Sequence, residues 1–90
     1  MIPTHRKPTH PGEILLYEFL EPLKMTQVSL AKKMGVPIQR VNTLIAGRRG
    51  ITAETALLLS EVLETTPELW MNLQATYDLY EARRYLHKAA

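Results

Sequence analysis

The segment from Leu30 to Gly50, LAKKMGVPIQRVNTLIAGRRG, combines basic and amide side chains and contains no aspartate or glutamate. Amide side chains can pair bidentately with adenine, arginine can pair with guanine, and a threonine methyl group can contact thymine. Lysine and arginine can also neutralise phosphate groups. The chemistry that these residue types could perform together is therefore the binding of a nucleic acid.

The charges of the whole chain are segregated along the sequence. The formal net charge is only +2, but residues 22–53 contain six basic and no acidic side chains, whereas residues 54–81 contain six acidic and no basic ones. A run of like charge is often no more than a solvated face. The positions of the basic residues on their helices must therefore decide between a solvated face and a binding surface.

The size and composition of the chain limit the classes of protein to consider. It has 90 residues, the size of a single small domain. No apolar run approaches the roughly 20 residues that span a bilayer, so we expect no membrane partner. The N-terminus lacks the pattern of a signal peptide, which favours a cytoplasmic location. The absence of cysteine excludes disulfides and thiolate metal sites.

The elements that must position the basic segment are predicted from caps, prolines and glycines. Helix-starting residues occur five times, at His10-Pro11, Thr26, Pro37, Thr52 and Thr66-Pro67. Pro22, Gly35 and Gly47 should limit the first three helices. The fourth should run to about Glu64. Because no strand-like alternation separates these signals, we expect one all-α domain over residues 1–90, with a flexible N-terminal arm at 1–9 and a last helix at 66–86.

The second and third predicted helices are short and are separated by a turn that contains Gly35, which is the spacing of a helix-turn-helix. One arc of the third helix is apolar, and the opposite arc is polar. That polar arc and its flanks carry the candidate base-reading residues Gln39, Arg40, Asn42 and Thr43. The candidate phosphate-binding residues border the same helix and are Lys32, Lys33, Arg48 and Arg49. This placement favours a surface that fits double-stranded DNA.

Helical periodicity also predicts the core. The residues expected to be buried from the first three helices are Leu15, Leu16, Phe19, Leu20, Val28, Leu30, Ala31, Met34, Ile38, Val41, Leu44 and Ile45. The fifth helix has two apolar stripes. The aromatic stripe, Leu69, Trp70, Leu73, Tyr77 and Tyr80, should complete the core. The second stripe, Met71, Ala75, Leu79, Ala82 and Leu86, should form a dimer interface, unless it folds back over its own chain.

Three stretches together resemble a known family. They are HPGEILLYEFLEPL, TQVSLAKKMGVPIQRVNTLIAGRRGITAETALLLSEVL and TTPELWMNLQATYDLYEAR, and they cover the chain from about His10 to Arg84. They closely resemble the HigA/VapI-type antitoxins, a branch of the phage-repressor-like (XRE) helix-turn-helix proteins. The resemblance implies a five-helix lambda-repressor-like fold and a homodimeric antitoxin that neutralises a toxin of the HigB type, a ribosome-dependent mRNA endonuclease, and represses its own operon.

The resemblance also suggests roles for individual residues. In the wider family the residue after the second helix's cap, here Gln27, commonly contacts a phosphate. The family often has serine or threonine where this chain has Pro37, so no contact is transferred to that side chain. A two-fold dimer should bind an inverted-repeat operator whose half-sites lie one helical turn, roughly 34–36 Å, apart.

The first helix offers a candidate surface for the toxin. Its face away from the predicted core carries Glu13, Tyr17, Glu18 and Glu21, with Ile14 among them. The family's toxins act on RNA and are expected to be basic, so acidic residues around an aromatic anchor would suit such a partner. The alternative is a solvated helix surface on which Tyr17 is merely exposed, or on which Ile14 covers a neighbouring loop.

The sequence also bears on other classes of function. A metal site would have to use His5 and His10 without cysteine, and we expect no metal, cofactor or catalytic activity. A stand-alone phage-type repressor would use the same third helix. A protein-interaction module that no longer binds DNA also stays open, because Pro37 removes a hydroxyl group from the start of that helix.

Overall fold

The computed structural model describes residues 7–89, and this part of the chain forms five helices and no strand. Helix α1 covers residues 11–23, and the others are α2 (Gln27–Met34), α3 (Ile38–Ile45), α4 (Ala53–Leu63) and α5 (Pro67–Ala89). The predicted all-α fold is confirmed. None of these helices is both long and apolar enough to cross a membrane.

Four of the five helices begin at a side chain that accepts a hydrogen bond from a backbone N–H group, and the three threonine caps among them were predicted. The acceptors and donors are His10 Nδ1 and Gly12 N (2.9 Å), Thr26 Oγ1 and Ser29 N (3.0 Å), Thr52 Oγ1 and Thr55 N (3.2 Å), and Thr66 Oγ1 and Leu69 N (3.2 Å). Helix α3 begins after Pro37 without a side-chain cap. Its start relies on the preset φ angle of the proline.

Helix α1 does not stop where Pro22 was expected to limit it. It consists of an α-helical turn (Pro11–Ile14), a π-helical segment (Leu15–Leu20) and a final turn (Glu21–Leu23) that contains the proline. In a regular α-helix the proline ring would clash with the carbonyl group four residues earlier. The wider π-helical turn, in which the Glu21 N–H donates to the Leu16 carbonyl oxygen, changes that geometry. The helix therefore continues to Leu23.

The core is centred on Trp70, which is fully buried. Its Nε1–H donates to Thr65 Oγ1 at 2.8 Å, and its ring lies 5.2 Å from that of Phe19. The indole donor is thus satisfied while the ring packs against apolar groups. The other buried hydrophobic residues are Leu15, Leu20, Leu30, Ala31, Met34, Val41, Leu44, Ile51, Ala56, Leu59 and Leu63. Most of the predicted core is therefore confirmed.

Two residues predicted for the core lie at the surface. Val28 of α2 is 55% exposed, because it lies about 200° around the helix from the buried Leu30. Leu69 of α5 is 37% exposed, because it lies about 100° around the helix from the buried Trp70. The core side of α2 therefore begins at Leu30, and that of α5 begins at Trp70.

Most of the predicted N-terminal arm, including His5, falls in residues 1–6, which lie outside the described residues. The described end of the arm contacts helix α5. Lys7 Nζ lies 3.9 Å from Glu81 Oε2 and 5.9 Å from the centroid of the Tyr77 ring. At Lys7, the chain is therefore held beside the last helix.

Candidate nucleic-acid interface

Helices α2 and α3 are joined by a turn that only glycine adopts easily. Gly35 has a φ angle of 72°, and its N–H donates to the carbonyl groups of Ala31 and Lys32. Pro37 follows with a φ angle of −63°, which suits the residue before a helix. The turn thus fixes the relative direction of the two helices, as in a helix-turn-helix.

Helix α3 presents one apolar and one polar side. Val41 and Leu44 are buried in the core, whereas Gln39 and Asn42 on the other side are exposed. Thr43 is half-buried, and its hydroxyl group donates to the Gln39 carbonyl oxygen at 2.7 Å. The amide groups of Gln39 and Asn42 are therefore the accessible hydrogen-bonding groups of this surface, with Thr43 beside them.

Arg40, which was predicted to read bases, is placed differently. Its Nη2 group donates to Glu54 Oε1 at 3.0 Å and to Thr55 Oγ1 at 3.1 Å, and only 26% of the side chain is exposed. These contacts join the recognition helix α3 to the first turn of α4. The arc drawn from the sequence could not show this partner, because Glu54 lies in another helix. The Arg40 side chain is therefore directed to α4, whereas Gln39 and Asn42 are exposed.

The predicted phosphate-binding residues flank α3 on both sides. Lys32 and Lys33 are exposed in the last turn of α2, and Arg48 and Arg49 are exposed in the turn after α3. Within residues 7–89, no acidic side chain forms an ion pair with any of these four. Gln27, the first residue of α2, is half-buried. The exposed side of α3 is therefore bordered by free positive charge.

The turn that carries Arg48 and Arg49 is attached to helix α5. Gln74 Oε1 accepts a hydrogen bond from the Ile51 N–H at 2.6 Å, and Gln74 Nε2 donates to Asp78 Oδ1 at 2.9 Å. The sequence did not predict this role for Gln74. The one available signal was a long amide side chain beside the aromatic stripe of α5, close to Leu73.

His10, at the start of α1, packs against Tyr77 of α5. Its ring meets the Tyr77 ring edge-on at 4.9 Å. Burial lowers the pKa of His10 below its ordinary value of 6.5, with the charges of Glu13 and Asp78 opposing the shift and Lys7 adding to it. An open cavity of about 460 Å³ lies beside these residues, at the end of α3. Within the described chain, no cluster of histidine, aspartate and glutamate is arranged to hold a metal ion.

The acidic side of α1 lies at the surface. Glu13, Glu18 and Glu21 are exposed, and Tyr17 is 55% exposed between them. Ile14 is half-buried. The structure therefore brings the four predicted toxin-contacting residues together on one solvent-facing side of this helix.

The second stripe of α5 is also uncovered. All five of its residues, Met71, Ala75, Leu79, Ala82 and Leu86, are exposed. Leu79 is 52% exposed and Leu86 is 64% exposed. The described part of the chain does not fold back over this stripe. This exposed apolar stripe is available for contact with another protein chain.

Comparison with known proteins agrees with this geometry. A helix-turn-helix family model matches residues 16–70, which contain α2 and α3 in full. The HTH-type transcriptional regulator YbaQ of Escherichia coli K12 is 49% identical over 76 residues, covering 84% of this chain and 67% of YbaQ. Antitoxin HigA-1 of Vibrio cholerae is 44% identical over 87 residues, covering 96% of this chain and 82% of that antitoxin.

A solved structure shares the fold as well. The Pseudomonas aeruginosa antitoxin HigA, determined with the higBA promoter, has a TM-score of 0.87 to this structure and 38% sequence identity. The similarity covers 91% of this chain and 89% of that antitoxin. The family model matches more than half of the chain, and the relatives match most of its length. The chain therefore belongs to the XRE helix-turn-helix family, in the branch of the HigA-type antitoxins.

Proposed function

We propose that the protein is a homodimeric antitoxin that represses its own operon by binding an operator and that neutralises a HigB-type, mRNA-cleaving toxin. The observation that carries the proposal is the exposed amide pair Gln39 and Asn42 on α3. It is bordered by basic side chains that have no acidic partner among residues 7–89. The Pseudomonas aeruginosa relative, determined with the higBA promoter, supports the same use of this fold.

In the proposed complex, α3 lies in the major groove. Gln39, Asn42 and Thr43 contact base edges, because amide groups and a threonine methyl group can distinguish A·T from G·C pairs there. The phosphate contacts come from Gln27, Lys32, Lys33, Arg48 and Arg49. Arg40 supports the same surface indirectly, since its contacts with Glu54 and Thr55 hold α3 against α4.

The proposed dimer forms through the second stripe of α5. Alanine at positions 75 and 82 permits close approach of two helices, while Met71, Leu79 and Leu86 supply apolar area. Two-fold symmetry then presents two copies of α3. The operator is accordingly an inverted repeat with half-sites roughly 34–36 Å apart.

The proposed toxin surface is the acidic side of α1. Tyr17 would be buried as an anchor, and the surrounding carboxylates of Glu13, Glu18 and Glu21 would attract and orient a basic partner. Calorimetric titration of the toxin with Tyr17→Ala and Glu18→Lys tests the assignment, with promoter binding by the same proteins as the control for folding. If both variants retain the parent's toxin affinity, the toxin site lies elsewhere.

A band shift with the protein's own promoter, together with binding of the toxin encoded beside it, tests the function as a whole. Binding of both supports the antitoxin. Promoter binding without any toxin partner would identify a stand-alone repressor. Toxin binding without promoter binding would identify a protein-interaction module whose α3, begun by Pro37, no longer recognises DNA.

A further inference from the structure

The basic turn after α3 and the helix α5 meet at a small polar contact. Ile51 is 5% exposed, and the partner of its backbone N–H is a side chain rather than another backbone group. Gln74 of α5 provides that partner at 2.6 Å and is itself held by Asp78 at 2.9 Å. The three residues form a chain of hydrogen bonds that runs from the turn onto the surface of α5.

Gly50 makes this contact close. A Cβ atom at position 50 would lie 3.0 Å from three atoms of the Gln74 side chain, which are its nearest neighbours. Gly50 does not have a positive φ angle, so its lack of a side chain serves the approach of Gln74 rather than the local backbone conformation. The turn and the helix are thus fitted to each other at this point.

The contact links two surfaces that the proposed complex uses together. Arg48 and Arg49 precede Gly50 directly, and Met71 and Ala75 of the dimer stripe lie three residues before and one residue after Gln74. In a two-fold dimer, α5 sets the distance between half-sites, so a turn attached to α5 holds its arginines at a fixed distance from the dimer axis.

We propose that Gln74 is a positioning residue for DNA binding, which holds Arg48 and Arg49 where they contact operator phosphates. The inference rests on the proposed function and assigns to Gln74 no contact with DNA. Without Gln74, the Ile51 N–H loses its partner and the basic turn is free to move away from the phosphates. Base contacts by Gln39 and Asn42 are unaffected, because α3 is held by other elements.

Salt dependence distinguishes this role from a general loss of stability. The logarithm of the DNA-binding constant falls with the logarithm of salt concentration, with a slope of about 0.9 per neutralised phosphate. A variant that is merely less stable has less active protein but the same slope. Gln74→Met, which keeps the side-chain length and removes both hydrogen bonds, should bind the operator about three- to tenfold more weakly at low salt, the equivalent of one hydrogen bond. Its slope should flatten by up to about one, because the arginines are displaced rather than removed.

A charge-neutral exchange provides the matched control. In Gln74→Glu combined with Asp78→Asn, position 74 still offers an acceptor to the Ile51 N–H, and the amide and carboxylate groups simply change places. Unlike Gln74→Met, this double variant should keep the operator affinity and the salt slope of the parent. Gly50→Ala disturbs the contact from the side of the turn and should flatten the slope. Added to Gln74→Ala, which removes the atoms that the new Cβ would meet, it should change the slope less than it does in the parent.

Arg48→Ala and Arg49→Ala separate the possible failures. If neither arginine variant flattens the slope, Arg48 and Arg49 do not contact operator phosphates, and the inference is wrong with that part of the proposed function. If they flatten it while Gln74→Met keeps the parent's slope, the proposed function stands and the role of Gln74 is overturned. Sedimentation is run alongside, and a slope change caused by dimer dissociation also counts against the inference. If Gln74→Met does not fold, the salt slopes of operator binding by Gly50→Ala and by Asp78→Ala test the role of Gln74 instead. Asp78 is exposed, so its replacement should not prevent folding.

Discussion

Gly12 of α1 packs so closely on the backbone of α3 that a Cβ atom at position 12 would collide with the carbonyl oxygen of Leu44. The same atom would lie 3.0 Å from Ile45 Cα. Backbone atoms cannot rotate away as a side chain can, so the two helices would have to separate. The end of α3 can therefore lie this close to α1 only because position 12 has no side chain.

Gly12→Ala should destabilise the protein, although the same change in an exposed helix stabilises by roughly 0.5–1 kcal/mol. Overpacking in a tight contact costs about 1–3 kcal/mol, so the sign should reverse. Urea unfolding of the variant and the parent measures the difference. A higher midpoint for the variant would contradict the close packing of α1 on α3. The operator affinity should also fall, because α3 would be displaced.

Arg40 should act on stability and helix position rather than on the choice of bases. Arg40→Ala and Glu54→Ala should each lower the free energy of unfolding by about 0.5–1 kcal/mol, the range for a partly exposed ion pair and hydrogen bond. The double variant should lose less than the sum, because both changes remove one interaction. Operator selection by Arg40→Ala from a randomised library should return the parent's sequence preference. A relaxed preference at one base pair would identify Arg40 as a base reader.

His10 should make stability depend on pH. The neutral ring accepts the Gly12 N–H through Nδ1, and the imidazolium has no acceptor there. Because burial lowers its pKa in the folded protein, the contribution of His10 is complete above the unfolded pKa of about 6.5. It is lost as the pH falls from that value through the lower folded pKa. Parent unfolding free energies at about pH 7.5 and about pH 5.5 should therefore differ, with less stability at the lower pH.

His10→Asn is the matched control for that dependence. Asparagine supplies an oxygen acceptor to the start of α1 but does not titrate in this range. The variant should lose less stability than the parent between the two pH values. An identical loss in the two proteins would show that His10 is not the responsible group.

Leu79 should contribute to self-association. Leu79→Glu places a charge in the exposed apolar stripe of α5 and should convert the dimer to a monomer in sedimentation at tens of micromolar. Val28→Glu is a matched control, since Val28 is 55% exposed, compared with 52% for Leu79, and lies outside that stripe. A parent that is already monomeric, or a Leu79→Glu protein that remains dimeric, would rule out this interface.

Local signals in the sequence predicted much of the fold. Thr26, Thr52 and Thr66 start helices because a hydroxyl group can accept an orphan N–H, and this requires only neighbouring residues. Gly35 and Gly47 take positive φ angles at the ends of α2 and α3 for an equally local reason. Helical periodicity likewise placed Gln39 and Asn42 on the exposed side of α3.

Contacts between distant residues were beyond those signals. Arg40 has the same position on the helical arc whether it faces a DNA base or Glu54, and only the packing of α3 against α4 distinguishes the two. The hydrogen bond from the Ile51 N–H to Gln74 depends on the docking of a turn on a helix 23 residues further along. The π-helical segment Leu15–Leu20, through which α1 continues past Pro22, was not predicted either, because apolar periodicity and the proline signal do not distinguish it from an α-helix that ends at the proline.

The core of the proposed function is the recognition of an inverted repeat in the protein's own promoter by two copies of α3. Its most direct test is a fluorescence titration of the promoter duplex and of a duplex with scrambled half-sites, with the parent and with Gln39→Ala. The parent should bind the promoter as two chains per inverted repeat and much more tightly than the scrambled duplex. Gln39→Ala should lose about 1–3 kcal/mol and relax one base pair in each half-site. Equal affinity of the parent for both duplexes, or unchanged binding and selectivity in Gln39→Ala, would contradict this proposal.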